Sequence, residues 1–125
     1  MREQAFILLY EKEFFKDKPC SEIEEIFFEN ISPLSDYAKE AFESVCAHRE
    51  ELDDIISKYL KGWKIGRLPK VNASILRLAL YEIIYAESVP AGAAVNEAVE
   101  LAKKYSGNDD YTFVNGVLGS YLRSL

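Results

Sequence analysis

An all-α fold is predicted by three observations on this chain of 125 residues. Apolar residues recur at i, i+3 and i+4, alternating runs of β-branched residues are nearly absent, and one stretch, from about Lys70 to Ala86, is apolar round most of its circumference. A helix that is hydrophobic on all sides must be covered by several neighbours, so this one is the predicted hub of a helical bundle. With 49% apolar residues the chain fits one core, or two small packed lobes.

The elements follow in order. An opening helix is predicted from about Glu3 to Phe15, with Ala5, Leu8, Leu9 and Phe15 facing inward and Lys18-Pro19 ending it. Ser21 followed by Glu24 has the spacing of a capping box, so a second helix should start there and carry Ile23, Ile26, Phe27 and Ile31 inward, up to Ser32-Pro33. From Leu34 to Leu60 the positions Tyr37, Ala41, Val45, Leu52, Ile55, Ile56 and Tyr59 keep helical spacing across Arg49-Glu50-Glu51. One long helix, or two meeting near His48, both fit. Gly62 and Gly66 bracket a connector whose Trp63 should pack on the bundle, and Pro69 pre-sets the backbone for the hub helix. After Pro90 a further helix has Val95, Ala98, Val99 and Ala102 as its inner stripe and a Glu100–Lys104 pair outside. Gly107-Asn108 ends it, and Asp109 or Asp110 can cap a last helix running to about Leu122.

Charge and chemistry narrow the function. The net charge is −6, but residues 1–61 hold eight Lys/Arg against fifteen Asp/Glu, a balance of −7, while residues 62–125 hold seven against six. The acidity is therefore N-terminal. Lys61, Lys64, Arg67, Lys70 and Arg77 stand in a window free of acids, readable as a solvated linker or as a phosphate-contacting patch. No secretion signal or membrane-length apolar run is present, so a cytoplasmic protein is expected. Cys20 and Cys46 form no CxxC pair and accompany a single histidine, His48, so they are read as small buried apolar side chains and no metal is expected. No cofactor motif and no catalytic constellation is seen; Glu97 and Glu100 are one turn apart but fit a charged outer face, and an enzyme is not expected. Asn96 and Asn115 are assigned hydrogen bonds to helix ends, and Arg67 is the expected partner of Glu82 in the hub helix, because a buried charge must be paired.

Three segments, "ILRLALYE" at 75–82, "AVNEAVELAKKYS" at 94–106 and "FVNGVL" at 113–118, stand in an order and spacing that resemble the NusB family. The likeness extends to Arg2-Glu3-Gln4-Ala5 and Leu9-Tyr10, while residues 16–60 match in helical character alone. It implies one NusB-like domain of two packed sub-bundles, about 1–60 and 61–125. It also implies a transcription antitermination factor that binds boxA-like single-stranded RNA with ribosomal protein NusE, in the RNA polymerase antitermination complex and chiefly on ribosomal RNA operons. No membrane is implied, and some members self-associate as homodimers. The matching RNA positions are Arg2, Glu3 and Tyr10, then Asp109, Asp110, Tyr111, Thr112 and Phe113; the matching NusE contact is Asn72, where members often carry an acid. Tyr111 or Phe113 would stack an unpaired base, and a core role for Phe113 is the equal alternative.

This chain departs from the family in its arginines, since the usual cluster before the first helix is reduced to Arg2. RNA binding would then lean on the partner's positive charge. Two other readings stay open: a protein-binding or self-associating helical module that binds little or no RNA, and a stand-alone relative of the RNA-binding domain of ribosomal RNA cytosine methyltransferases.

Overall fold

A computed structural model describes residues 2–30, 34–60, 64–86, 89–107 and 110–125, with residues 26–30 described as backbone alone. Among the described residues there are seven α-helices and no strand: α1 Arg2–Lys12, α2 Cys20–Asn30, α3 Asp36–Ala47, α4 Arg49–Ser57, α5 Lys70–Ile84, α6 Ala91–Tyr105 and α7 Asp110–Arg123. A short 3-10 turn, Ile65–Arg67, precedes α5. The expected positions of Ile31, Ser32, Pro33, Lys61, Gly62, Trp63, Asn108 and Asp109, and the side chains of Ile26 and Phe27, lie outside the described residues.

Helix α5 is the hub. Every residue from Asn72 to Glu82 is buried, and α1, α3, α4, α6 and α7 all pack on it. Ile75, Leu76, Leu78 and Leu80 meet Ala5, Leu8 and Leu9 of α1, Ala38, Ala41, Phe42 and Val45 of α3, and Leu118 of α7 in one apolar cluster. Complete burial obliges the two charges of this stretch to find partners. Arg77 donates through Nε and Nη2 to Asp53 of α4, at 2.7 and 3.2 Å, and through Nη1 to Glu13 just past α1. Glu82 accepts from Arg2 Nε at 2.9 Å and from the Tyr37 hydroxyl. The expected Arg67–Glu82 pair is not formed: Arg67 is exposed in the 3-10 turn, and the start of α1 supplies the cation instead.

Several boundaries and faces differ from expectation for identifiable reasons. Helix α1 stops at Lys12, because Glu13, Phe14 and Phe15 make tight i→i−3 backbone bonds to Tyr10, Glu11 and Lys12. Lys12 Nζ then holds the carbonyls of Lys16 and Lys18, at 3.0 and 2.5 Å, and Phe15 ends up exposed rather than inside. Helix α2 starts one residue before Ser21, with the Pro19 carbonyl accepting from Glu22 and Ile23. No capping box forms, and Glu24 Oε2 is buried without a hydrogen-bond partner. Two helices meet at His48, which closes α3, opens α4, and stacks on Tyr85 at 4.5 Å; it is a half-buried joint. On α6 the buried stripe is Ala94, Ala98, Leu101 and Ala102, so Leu101 takes the place expected of Val99. Glu100 faces Lys103 at 3.7 Å, and Lys104 reaches Glu3 instead. Asn96 and Asn115 are exposed and cap nothing. Cys20 and Cys46 are free and half-buried; burial, with Cys20 as its hydrogen-bonding neighbour, pushes the Cys46 thiol up to about 12.

The Arg77 network makes a stability prediction. Burial raises the Glu13 carboxyl, but Arg77 and Arg49 outweigh it and hold it below its ordinary range. A carboxylate whose folded value is depressed stabilises the fold above its unfolded value of about 4.3, and that contribution is lost as pH falls through the folded value. Arg77→Ala should lower unfolding free energy by about 3–5 kcal/mol at neutral pH, because it strands Glu13. In urea titrations the wild type should lose more stability than the variant between about pH 7 and pH 3.5. Equal losses would show that the pair is not what holds Glu13 ionised.

Candidate nucleic-acid interface

Three helix ends converge at one joint. Asn72, in the first turn of α5, donates Nδ2–H to Asp110 Oδ2 at 3.2 Å, and its Oδ1 accepts from the Ser106 hydroxyl at 2.7 Å. Ser106 caps α6 and also lies 2.7 Å from Asp110 Oδ2 at the start of α7. The asparagine bridges an acceptor and a donor at once, which an acid there would not do beside Asp110. Of the expected positions the joint thus unites Asn72 and Asp110, and it adds Ser106.

Beyond the joint, Tyr111 is 36% exposed and the Lys103 ammonium stands 5.1 Å from its ring centroid. Thr112 is exposed beside it, while Phe113 is half-buried against the core. A row of aromatic rings leads away along α1. Tyr105 lies 4.9 Å from Phe6, Phe6 lies 6.1 Å from Tyr10, and Tyr10 meets Phe14 edge-on at 5.1 Å. Phe6, Tyr10 and Phe14 repeat at i, i+4, so they share one face of the helix and the turn that follows it. That spacing was visible in the sequence, and it is the signal by which Phe6, Phe14 and Tyr105 join Tyr10.

The two charged positions at the start of α1 are engaged within the protein. Arg2 is bound to buried Glu82 and lies 4.0 Å from Glu97. Glu3 accepts from Lys104 Nζ at 2.7 Å, and this hydrogen bond holds its carboxyl below the ordinary range. With Glu97, Glu100 and Leu101 these groups line a shallow depression of about 250 Å³ between α1 and α6. It holds charges of both signs. Its surroundings can therefore offer stacking surfaces and hydrogen bonds, with little net positive field.

An all-helical domain with a buried hub helix, a polar joint of three helix ends and exposed rings at Tyr105 and Tyr111 has the composition of a binding module. Comparison with known proteins names the class: the model of the NusB family matches residues 1–123. The chain belongs to the NusB family. It is 40% identical over 98% of its length to a transcription antitermination protein NusB from Acetivibrio thermocellus, covering 86% of that relative. It is 45% identical over 88% of its length to the NusB of Clostridium botulinum strain Loch Maree, covering 80% of it. A solved T. maritima NusB superposes with a TM-score of 0.86 at 31% identity, over 98% of this chain and 87% of that one. A solved complex of the antitermination factors NusB and NusE with double-stranded RNA gives 0.85 at 33% identity, over 99% and 94%.

The joint is testable by exchange. Asn72→Asp would set two carboxylates at hydrogen-bond distance and should cost about 1–3 kcal/mol at neutral pH. Adding Asp110→Asn swaps amide and carboxylate and should restore most of that loss. A thermal-unfolding cycle in which the double variant is no better than Asn72→Asp would show that the two side chains do not act as a pair.

Proposed function

We propose that this protein is a NusB-type transcription antitermination factor that binds boxA-like single-stranded RNA together with NusE, as a non-catalytic adaptor in the cytoplasmic RNA polymerase antitermination complex, chiefly on ribosomal RNA operons. The carrying observation is the pair of exposed rings, Tyr105 and Tyr111, beside the joint of α5, α6 and α7, in a chain whose relatives are antitermination proteins. Unpaired bases are read by stacking on such rings.

In this reading Tyr111 and Tyr105 offer stacking faces, with Lys103 and Lys104 beside them. Tyr10 lies further along α1, Thr112 supplies a hydroxyl, Asp110 flanks the path, and Asp109 stays a matching family position outside the described residues. Phe113 supports this surface from the core side. Arg2 and Glu3 act by positioning: they fix the start of α1 against α5 and α6. Asn72 holds the joint that NusE would meet. The domain is read as two sub-bundles, about 1–60 and 61–125, with α5 common to the contacts of both. The described residues contain no helix long and apolar enough to cross a membrane.

The test is fluorescence anisotropy of a labelled boxA-like RNA, titrated with this protein, with NusE, and with their mixture. Sequence-dependent retention by the mixture is expected. Tyr111→Ala should weaken it by about 1–3 kcal/mol, the range for losing one stacked base. A folded mixture that does not distinguish boxA-like RNA from a scrambled strand would overturn the proposal.

A further inference from the structure

We propose that Cys20 and Cys46 form a thiol–disulfide site, at which a small disulfide converts the pair into an internal bond that staples the start of α2 to the end of α3. The inference is independent of the RNA-binding reading above.

The fold brings together two cysteines that lie far apart in the chain. Cys20 is the first residue of α2, Cys46 lies in the last turn of α3, and the Cys46 thiol has Cys20 as its hydrogen-bonding neighbour. Both are free, half-buried and packed against the core, so neither side chain is at liberty to swing away. A disulfide forms only where the two backbones already stand close, and thiols in contact across packed helices meet that demand. The two helices differ in how firmly they are held. Helix α3 is anchored by Ala38, Ala41, Phe42 and Val45, all buried, whereas among the described side chains of α2 Ile23 alone is fully buried. A bond at Cys20 therefore ties down a helix start that few other groups hold.

The surroundings suit exchange with a small reagent, RSSR. Cys46 lines an open depression of about 510 Å³ formed by residues 46–51, where α3 meets α4. Lys12 and Arg49 stand near enough to favour a thiolate, but burial and the Cys20 contact outweigh them and keep the Cys46 thiol protonated at neutral pH. This sets the order of steps. Cys20, after losing its proton to solvent, attacks one sulfur of RSSR and expels RS⁻. Cys46 then gives its proton to solvent and attacks Cys20 Sγ, expelling the second RS⁻. Two thiols are oxidised, one RSSR is reduced to two RSH, and excess RSH reverses the reaction. In a reducing compartment the dithiol is the resting form.

The experiment equilibrates the full-length protein with glutathione and oxidised glutathione in varied ratio, both native and unfolded in urea, and reads intact mass and disulfide-linked peptides. The expected native product is the internal Cys20–Cys46 disulfide with no glutathione retained. Its formation constant should exceed that in urea at least about tenfold, because the 25 intervening residues of an unfolded loop hold the thiols at only about millimolar effective concentration. By linkage the same factor multiplies the folding constant of the oxidised protein, so its urea midpoint should lie above that of the reduced form. Cys46→Ser should stop at a glutathione adduct on Cys20, and Cys20→Ser should react several times more slowly, since Cys46 stays protonated. A native formation constant no larger than that in urea would overturn the inference. So would a wild-type protein that ends mainly as a glutathione adduct or as a disulfide between two chains.

Discussion

The complete burial of α5 from Asn72 to Glu82 is the constraint on which the other placements depend. A stretch wrapped on every side can keep a charge only if a neighbour brings the opposite one, and this stretch carries two, Arg77 and Glu82. Arg2, at the start of α1, answers Glu82, and Glu13, just past its end, answers Arg77. Both ends of α1 are thereby tied to α5 in antiparallel sense. Once α1 is fixed in direction, the face carrying Phe6, Tyr10 and Phe14 must run from Tyr105 at the end of α6 to Lys70 at the start of α5. Two ion pairs on buried charges thus determine where the ring face of α1 lies. Replacing such pairs by apolar residues need not cost stability; here their positional role is the stronger reason to have them.

Much of the fold was legible because helical periodicity is a local property. Helix α5 announced itself through Val71 to Ile84, and Pro69, Pro90 and Gly107 marked the ends that they mark in the structure. What failed was partner choice, which is not local. Glu82 was assigned to Arg67, the near cation in sequence, although the residue that reaches it is eighty positions away. The Glu100–Lys104 spacing is ideal for an intrahelical pair, yet Lys104 meets Glu3 because α1 lies alongside. Ser21 and Glu24 have the letters of a capping box, but Pro19 starts the helix one residue earlier.

The candidate site shows the same division. The family-like segments located Asn72, Asp110 and Tyr111, and the structure brings the first two into hydrogen-bond contact through neighbouring helix ends. The resemblance also pointed to Arg2 as an RNA contact, and in the structure its guanidinium is paired with buried Glu82. Asn72 illustrates how a departure from a family habit becomes intelligible. Where the resemblance leads one to expect an acid, an amide here donates to Asp110 and accepts from Ser106, and the joint closes without two facing carboxylates.

The acidic balance of the whole chain, −6, is a poor guide to any one surface. Around the joint and the α1–α6 depression the cations are matched locally: Lys103 by Glu100, Lys104 by Glu3, Arg2 by Glu82. Stacking and shape then carry a larger share of any contact at that end than net charge does. At the far end of α1 the arginines are matched, while Lys16 and Lys70 stand exposed beside them. Exposed Tyr105 and these lysines stand at opposite ends of α1, with buried Phe6 between them. Charges more than about 8 Å apart are largely screened at physiological salt, so each end answers to its own neighbours and not to the net charge of the chain.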